Sequence, residues 1–288
     1  MERHYMQYDA QEIHYRNAFM EAATRTLGNY ALEMIQGDIL MRLKEDGSKV
    51  TEMDEALNEL LMRMTYQYFP NDLVWGEEAS NSEKGDLEAA NGRWLWIADP
   101  IDGTNKLWDA YELGNFDECN STVLLSAFAP GSRLPTMSAA YSPFRPERLF
   151  VAAGPMGAMA SLGQRSWPLT IQAGPKTVAE VTTYEYSDWG DGLDNLPDIF
   201  PGAERVKTPI RMASIALGTA SISAFPRPAH PHDVIPGAHI VQAAGGSVRS
   251  LVGQAYEDID WRVDPLNGVV AAATPELVEA TLERLSTK

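Results

Sequence analysis

Residues 94–109 read Trp-Leu-Trp-Ile-Ala-Asp-Pro-Ile-Asp-Gly-Thr-Asn-Lys-Leu-Trp-Asp, and they carry more information about this chain than any other stretch. The apolar residues at its start predict a buried strand that runs into two carboxylates, Asp99 and Asp102. Gly103 and Thr104 come next, where a turn would lead into a helix. Carboxylates clustered at a strand end suit a hard divalent cation, and the free N–H groups of a helix start suit a phosphate oxygen. An Asp-rich turn, which is common in α/β proteins, explains these residues equally well.

The composition indicates a globular protein with an acidic surface. With 288 residues, 44% of them hydrophobic and 22% charged, the chain is long enough for one large domain or two closely packed lobes. Its formal net charge is −17, which argues against nucleic acid and an anionic membrane as partners, because both require a basic face. A small anionic substrate stays compatible with this charge if bound cations reverse the local field.

Cysteine usage and hydropathy bear on the cellular compartment. Cys119 is the single cysteine, so the chain forms no intramolecular disulfide and has no cysteine-cluster metal site. A free thiol fits a reducing compartment. Residues 1–10 are polar and mixed in charge, without the apolar core of a signal peptide, and no apolar run is long enough to span a bilayer. We therefore expect a cytoplasmic protein that does not cross a membrane.

Hydrophobic periodicity predicts a layered α/β protein. Two amphipathic helices are expected first, over 9–43 and 51–68. Further helices are expected over 213–225, 236–244 and 275–285, and strands over 73–75, 94–98, 121–128, 136–141, 148–152 and 269–273. The pattern changes near 165–175, which predicts an N-terminal α+β lobe over 1–172 and a C-terminal α/β lobe over 173–288.

Four further carboxylates could belong to the same cation site, although each also has a purely structural explanation. Glu77 and Glu78 follow an expected strand and could simply begin an acidic loop. Asp54 stands three residues after Thr51, which is the spacing of a capping box. Asp233 precedes an apolar helix, where an N-cap aspartate needs no further role.

Taken in order, these segments resemble the inositol monophosphatase-like family, which also contains bisphosphate nucleotidases, fructose bisphosphatases and related sugar-phosphate phosphatases. The resemblance covers roughly residues 35–273. It implies an α/β fold with α+β layering, the five-layer α/β/α/β/α sandwich of the inositol monophosphatase and fructose-1,6-bisphosphatase type, and a homodimer. The motifs that carry it are Lys44 with Asp46-Gly47-Ser48, Thr51 to Asp54, Trp75 to Glu78, Asp99 to Thr104, Tyr141-Ser142-Pro143, Gly154 to Gly163, and Asp233 ahead of Ala243 to Gly246.

The resemblance implies a site for two or three Mg²⁺ ions. Glu77, Asp99 and the backbone carbonyl of Ile101 would hold the first ion. Asp99 would bridge to a second ion, which Asp102 and Asp233 would also bind. A weaker third ion would lie near Glu77. The N-terminal lobe would thus carry most of the ligands, and the C-terminal lobe would supply Asp233 and contacts to the substrate.

The resemblance also implies the reaction. The chain would be a Mg²⁺-dependent phosphomonoesterase that cleaves a small phosphorylated polyol, sugar or nucleotide by in-line attack of a metal-activated water, without a covalent phosphoenzyme. Glu77 and Thr104 would orient that water and help to remove its proton. Asp54 would hydrogen-bond the Thr104 hydroxyl, and Glu78 would support the ligands from behind. Gly103, Thr104 and Asp102 would contact the substrate phosphate.

Three departures from the family pattern concern the substrate. His232 stands where the family usually has tryptophan, and together with His230 it raises a transition-metal interpretation, although a hydrogen-bonded structural histidine is favoured. Inositol-processing members have a glutamate seven residues before the last metal aspartate, where this chain has proline followed by Arg227. That arginine could pair with a second phosphate, or it could be an exposed side chain in a proline-rich loop. Residues 110–120 also diverge. A 3′(2′),5′-bisphosphate nucleotidase, a sugar bisphosphatase and a non-catalytic binding descendant therefore stay open as alternatives.

Overall fold

The computed structural model describes residues 9–37, 41–43, 49–77, 92–117, 119–171, 182–184, 204–206, 210–225 and 229–286. The helices are α1 (Ala10–Met34), α2 (Glu52–Tyr68), α3 (Thr104–Leu113), α4 (Pro231–Ala243) and α5 (Pro275–Ser286). Short 3₁₀ helices cover Arg211–Ile215 and Tyr256–Asp258. The strands are β1 (Met41–Leu43), β2 (Lys49–Thr51), β3 (Leu73–Gly76), β4 (Leu95–Asp102), β5 (Thr122–Phe128), β6 (Met137–Tyr141), β7 (Leu149–Gly154), β8 (Gly157–Leu162), β9 (Arg165–Leu169), β10 (Thr182–Tyr184), β11 (Glu204–Val206), β12 (Ile222–Phe225), β13 (Ser247–Ser250) and β14 (Val269–Ala272).

The described elements stack in five layers. A seven-stranded sheet has the order β3-β4-β5-β6-β7-β8-β9, and a five-stranded sheet has the order β11-β10-β12-β14-β13. Helices α1 and α2 cover the outer face of the larger sheet, and α5 covers the outer face of the smaller one. Helix α4 lies between the two sheets. The five-layer α/β/α/β/α sandwich expected from the sequence is confirmed.

Helix α4 is buried between the sheets because apolar side chains surround it. Val234 and Val241 pack into the cluster that contains Phe225 of β12, whereas Ile240 packs into the cluster that contains Leu124 of β5. A helix that is apolar on all sides is stable only in such an enclosed layer. No helix in the described ranges combines the length and the apolar character that a bilayer span requires.

Three sequence-based helix boundaries are wrong. The first helix ends at Met34 rather than Leu43, because the chain turns at 35–37 and residues 41–43 pair with β2. The segment 213–225 is not one helix: its first part is a 3₁₀ turn, and its last four residues form β12, which pairs with β14. Tertiary pairing overrides helical spacing there.

The third correction concerns α4, which begins five residues earlier than expected. Pro231 occupies its first turn, where a proline needs no N–H partner, and Pro236 lies inside the helix. His230 is therefore the N-cap residue, and Asp233 lies within the first helical turn instead of capping it. Because of this shift, His230 and His232 lie with Asp233 at the start of the helix.

An ion pair fixes the point at which the chain enters β3. Arg16 of α1 donates two hydrogen bonds to the carboxylate of Asp72, at 2.9 and 3.2 Å, and its guanidinium lies between the rings of Phe69 and Trp94. Trp96 Nε1 donates to the same carboxylate at 2.9 Å. Because the ions are buried with several hydrogen bonds each, loss of one partner is costly. Helix α1 is thereby held against the edge of the larger sheet.

A row of polar side chains lies between α4 and the larger sheet. His239 Nδ1 lies 2.9 Å from Ser138 Oγ, which lies 2.8 Å from Ser126 Oγ. Burial lowers the pKa of His239 from 6.5 to about 4. Because the unfolded chain binds this proton at higher pH than the folded chain does, the folded state loses stability as the pH falls from 6.5 towards 4.

We expect His239→Gln to weaken the acid sensitivity of the metal-free protein. Between pH 7 and pH 5 the histidine should lower the free energy of unfolding by about 2 kcal/mol, a loss that glutamine avoids because it does not titrate. Urea unfolding in EDTA at both pH values measures the difference. The exposed His14 offers a control, since His14→Gln should keep the wild-type pH dependence. Identical pH dependence in wild type and His239→Gln would contradict the prediction.

Candidate active site

A β-bulge brings Asp99 and Asp102 to the same side of β4. The strand pairs with β5 so that Asp99 faces Leu124 and Asp102 faces Thr122, which places one extra residue on β4. In a regular strand, residues three apart point to opposite faces of the sheet. The extra residue reverses that relation and turns the strand end. Both aspartates are buried, at 2% and 3% exposure.

Asp233 completes a cluster of three carboxylates. It reaches the end of β4 from the first turn of α4, which lies across the larger sheet. One oxygen each from Asp99, Asp102 and Asp233 lie within 4.8 Å of one another. The structure therefore brings two residues that are three positions apart in the sequence together with one that is more than a hundred residues away. Oxygen donors at this spacing suit a hard divalent cation such as Mg²⁺.

The burial and mutual repulsion of these carboxylates favour a bound cation. Burial raises the pKa of Asp99 well above its usual value, and the charges of Glu77, Asp102, Asp233 and Asp54 raise it further. Buried like charges disfavour one another's ionised forms. A cation among them would remove both penalties, because it replaces the lost hydration and offsets the repulsion. The residues present thus fit the ion that the sequence implies.

Asp54 uses its two carboxylate oxygens for two different partners. Oδ2 accepts a hydrogen bond from the backbone N–H of Thr51 at 2.7 Å, and Thr51 Oγ1 accepts from the Asp54 N–H, which completes a capping box at the start of α2. Oδ1 accepts from the Thr104 hydroxyl at 2.9 Å. The capping and site contacts expected for Asp54 therefore coexist. Burial also raises the pKa of Asp54.

The start of α3 offers backbone donors beside the carboxylates. Gly103 is the N-cap residue and has φ +87°, a conformation that favours glycine. As a glycine, it has no side chain that could cap this helix end. Ser121 Oγ donates to the Gly103 carbonyl at 2.9 Å and holds the turn from the side of β5. The sequence-based reasoning missed Ser121, because a serine before an apolar strand carries no distinctive signal.

Glu77 and Ile101, the other expected ligands of the first ion, lie beside the end of β4, and among the described residues Glu77 is not part of the three-carboxylate cluster. Glu77 follows β3 and donates its N–H to the Ala98 carbonyl at 3.0 Å, which places it beside the residue before Asp99. Its charge acts on both Asp99 and Asp54. The Ile101 carbonyl oxygen lies 3.2 Å from Thr104 Oγ1. Two predicted residues, Glu78 and Arg227, lie outside the described residues.

A small crevice opens beside Asp102 and Asp233. Its volume is about 10 Å³, which is roughly the space of one water-sized group. Its packing is tight, because a Cβ on Gly237 would come within 2.7 Å of Met212 Cβ. None of the described residues between 110 and 120 lines this crevice. The lining residues are Asp102, Thr122, Leu124, Ala140, Ile210, Met212, Ala213, Asp233 and Gly237.

His232 is buried next to Asp233. Its exposure is 4%, and its Nε2 lies 3.7 Å from Asp233 Oδ1. Its ring stacks on that of His230, with centroids 5.5 Å apart and planes 5° apart. Neither histidine joins the three carboxylates in a common cluster of metal-ligating atoms among the described residues. Among the described residues, His232 Nδ1 is buried without a hydrogen-bond partner, so the hydrogen bond expected of a structural histidine is not seen, and the choice between the two interpretations stays a prediction.

Comparison with known proteins identifies the family. The sequence matches the Inositol monophosphatase family over residues 13–288. It is 25% identical over 241 residues to Inositol-1-monophosphatase of Synechocystis sp., covering 82% of this chain and 78% of that one. It is 27% identical over 250 residues to Inositol monophosphatase 1 of Solanum lycopersicum, covering 82% of each.

The fold agrees with that of a solved structure. A staphylococcal IMPase-I crystal structure, complexed with products, superimposes with a TM-score of 0.71 at 20% identity, and the match covers 96% of both chains. The family match spans nearly the whole chain, and three of the carboxylates expected in the site, Asp99, Asp102 and Asp233, lie together in the structure. This chain belongs to the inositol monophosphatase family and is a phosphoric monoester hydrolase.

Proposed function

We propose that the protein is a Mg²⁺-dependent phosphomonoesterase that acts on a small phosphorylated polyol, sugar or nucleotide. The observation that carries this proposal is the approach of Asp99, Asp102 and Asp233 oxygens to within 4.8 Å of one another. The start of α3, where the N-cap residue Gly103 has no side chain, lies directly after Asp102 in the chain. Carboxylates for a cation and N–H donors for a phosphate are thus side by side, as metal-assisted phosphate hydrolysis requires.

The proposal assigns a role to each ligand. Glu77, Asp99 and the Ile101 carbonyl would hold one Mg²⁺, and Asp99, Asp102 and Asp233 would hold a second, with a weaker third near Glu77. When bound, the ions would lower the pKa of the attacking water and stabilise the leaving oxygen. Residues 1–172 would form the lobe with most ligands, and residues 173–288 the lobe that supplies Asp233.

The chain's own side chains would position the water and the phosphate. Thr104 donates its hydroxyl proton to Asp54 Oδ1, so its oxygen lone pairs are available to a water. Glu77, which is half-buried beside Asp99, can accept a proton from that water. Gly103 and Thr104 would offer backbone N–H groups to the phosphate oxygens, Asp102 would contact the phosphate, and Glu78 would support the ligands.

We expect hydrolysis of phosphate esters to depend wholly on a divalent cation. The EDTA-treated protein should release no phosphate above background, and added Mg²⁺ should restore release from at least one ester. The panel contains inositol 1-phosphate, glycerol 2-phosphate, a hexose phosphate, a nucleoside 3′,5′-bisphosphate and 4-nitrophenyl phosphate. Calorimetry measures Mg²⁺ binding in parallel. The proposal fails if no ester is cleaved with Mg²⁺ and calorimetry detects no binding.

The same panel decides between the proposed substrate classes. Preference for the doubly phosphorylated ester, lost in Arg227→Ala, would favour the bisphosphate nucleotidase or sugar bisphosphatase alternative, because a guanidinium binds a second phosphate bidentately.

We further propose a cytoplasmic homodimer, an assignment that rests on the resemblance and on the single free cysteine. Light scattering of the purified protein should give twice the mass of one chain.

A further inference from the structure

Asn58 of α2 carries a buried amide whose oxygen has no conventional hydrogen-bond partner. The residue is 8% exposed, and its Nδ2 lies 3.8 Å from Met62 Sδ, which is a weak acceptor. Among the described residues, no donor lies within hydrogen-bond distance of Asn58 Oδ1. A buried polar atom without a partner lowers the stability of the folded state, so its presence needs a reason other than stability.

The Asn58 amide lies directly against the backbone of Gly76, the last residue of β3. A Cβ built on Gly76 would overlap Asn58 Oδ1 and come within 2.8 Å of Asn58 Cγ. The Cα hydrogen of Gly76 on that side therefore faces Oδ1, as in a weak Cα–H···O contact. Gly76 is not one of the glycines with positive φ, so glycine is required here for the close approach of the amide.

This contact supports the backbone immediately before Glu77. The Glu77 N–H donates to a carbonyl of β4 at 3.0 Å, which holds the residue from one side, and Asn58 holds the preceding residue from α2. The charge of Glu77 raises the pKa of both Asp99 and Asp54, so the carboxylate acts on the site. A displacement of the Gly76 backbone would change the distances between Glu77 and these carboxylates.

Helix α2 presents two polar side chains to the site on consecutive turns. Asp54 and Asn58 are four residues apart and therefore lie on one face of the helix. Asp54 Oδ1 accepts a hydrogen bond from Thr104 at the start of α3, and Asn58 contacts Gly76 at the end of β3. The same helix face thus contacts both segments that lead to expected site residues.

We propose that Asn58 is a positioning residue for Glu77: its amide, packed against Gly76, holds the end of β3 so that the Glu77 carboxylate is directed towards the metal site. The inference rests on the proposed function, in which Glu77 holds one Mg²⁺. Residues that orient metal ligands from outside typically change metal affinity or activity roughly 10- to 100-fold when they are replaced. Asn58 touches no reacting atom in this assignment and acts only through Glu77.

A double-mutant cycle between Asn58 and Glu77 tests the inference. Asn58→Ala removes the amide, and Glu77→Gln removes the carboxylate. Calorimetry measures Mg²⁺ binding to the metal-free wild type, to both single variants and to the double variant. Thr65→Val is the matched control, because Thr65 lies on the same helix, is fully buried and has a hydroxyl without a partner among the described residues.

We expect Asn58→Ala to weaken Mg²⁺ binding roughly tenfold and to raise the Mg²⁺ concentration for half-maximal turnover by a similar factor. In the Glu77→Gln background the same substitution should weaken binding by less than about twofold, because no carboxylate remains to be directed. Thr65→Val should bind Mg²⁺ as wild type does. Thermal melting of each metal-free protein establishes that it is folded.

Gly76→Ala tests the same contact from the other side. The added Cβ would displace the Asn58 amide, so Mg²⁺ binding should weaken at least as much as in Asn58→Ala. Combining the two substitutions should restore part of the affinity relative to Gly76→Ala, because the added methyl group fills space that the amide leaves. The pair keeps the inference testable if Asn58→Ala alone does not fold.

Three results would overturn the inference. Asn58→Ala could bind Mg²⁺ with wild-type affinity, whatever its melting temperature; it could lose the same factor with and without the Glu77 carboxylate; or Thr65→Val could lose as much. Failure of the proposed function has a different signature, since wild type itself would then neither bind Mg²⁺ nor cleave any ester of the panel. The inference falls with the proposed function in that case.

Discussion

Asp102→Asn should lower kcat by roughly a thousandfold or more while leaving the fold intact, because an amide is a poor substitute for a carboxylate ligand and metal-based stabilisation is worth several kcal/mol. Asp102 is 3% exposed and lies in the three-carboxylate cluster. The substitution also removes one of the charges that raise the pKa of Asp99. The metal-free variant should therefore melt at the same temperature as wild type or higher.

Thermal melting with and without Mg²⁺ separates loss of the ligand from loss of the fold. Wild type should melt at a higher temperature when Mg²⁺ is added, since a ligand that binds only the native state stabilises it. That increase should shrink in Asp102→Asn. Asp109→Asn provides the matched control, because Asp109 is an exposed carboxylate on α3. Wild-type turnover in Asp102→Asn would falsify the assignment of Asp102.

Thr104→Val should lower kcat by about a hundredfold or more, in the range of a lost general acid–base or water-orienting group. Valine preserves the shape of threonine but has no hydroxyl, so Asp54 Oδ1 loses its donor, and the Oγ1 contact with the Ile101 carbonyl is lost as well. The carboxylate cluster itself is untouched. Mg²⁺ affinity, measured by calorimetry, should therefore stay close to that of wild type.

Thr104→Ser is the control that isolates the hydroxyl. It restores the donor to Asp54 and should keep activity within about tenfold of wild type. Kinetics at saturating Mg²⁺ compare the three proteins. If Thr104→Val retained most of the wild-type kcat, the hydroxyl would have no part in orienting the water, and its bond to Asp54 would serve only to join α3 to α2.

Local signals in the sequence predicted local structure well. The spacing of Thr51 and Asp54 predicted a capping box, and the structure contains it, because a capping box depends on only four consecutive residues. The apolar run before Asp99 predicted a buried strand, and every residue of β4 is buried. The helix prediction over 213–225 was wrong for the opposite reason. The last residues of that segment form a strand only because β14 lies beside them.

The relation between distant residues was accessible only in part. The contact between Thr104 and Asp54 joins positions fifty residues apart and was expected from the resemblance, not from spacing. The bulge in β4 had no signal of its own, since Pro100 and Ile101 would also fit an ordinary turn. The contact between His230 and Asp264 joins residues 34 positions apart, and the sequence around neither residue predicts it.

The amino-acid sequence by itself determined the kind of chemistry. The carboxylate motifs and the Gly103-Thr104 turn placed the chain among phosphatases through their order along the sequence, which resembles the inositol monophosphatase-like family, whereas the residue types alone also fitted an Asp-rich turn. Tertiary structure decided which carboxylates lie together and which polar groups border them. One extra residue in β4 and one turn at the start of α4 set those directions. The directions in which these side chains point depend on pairing and packing between elements that are distant in the chain, and no local sequence pattern encodes them.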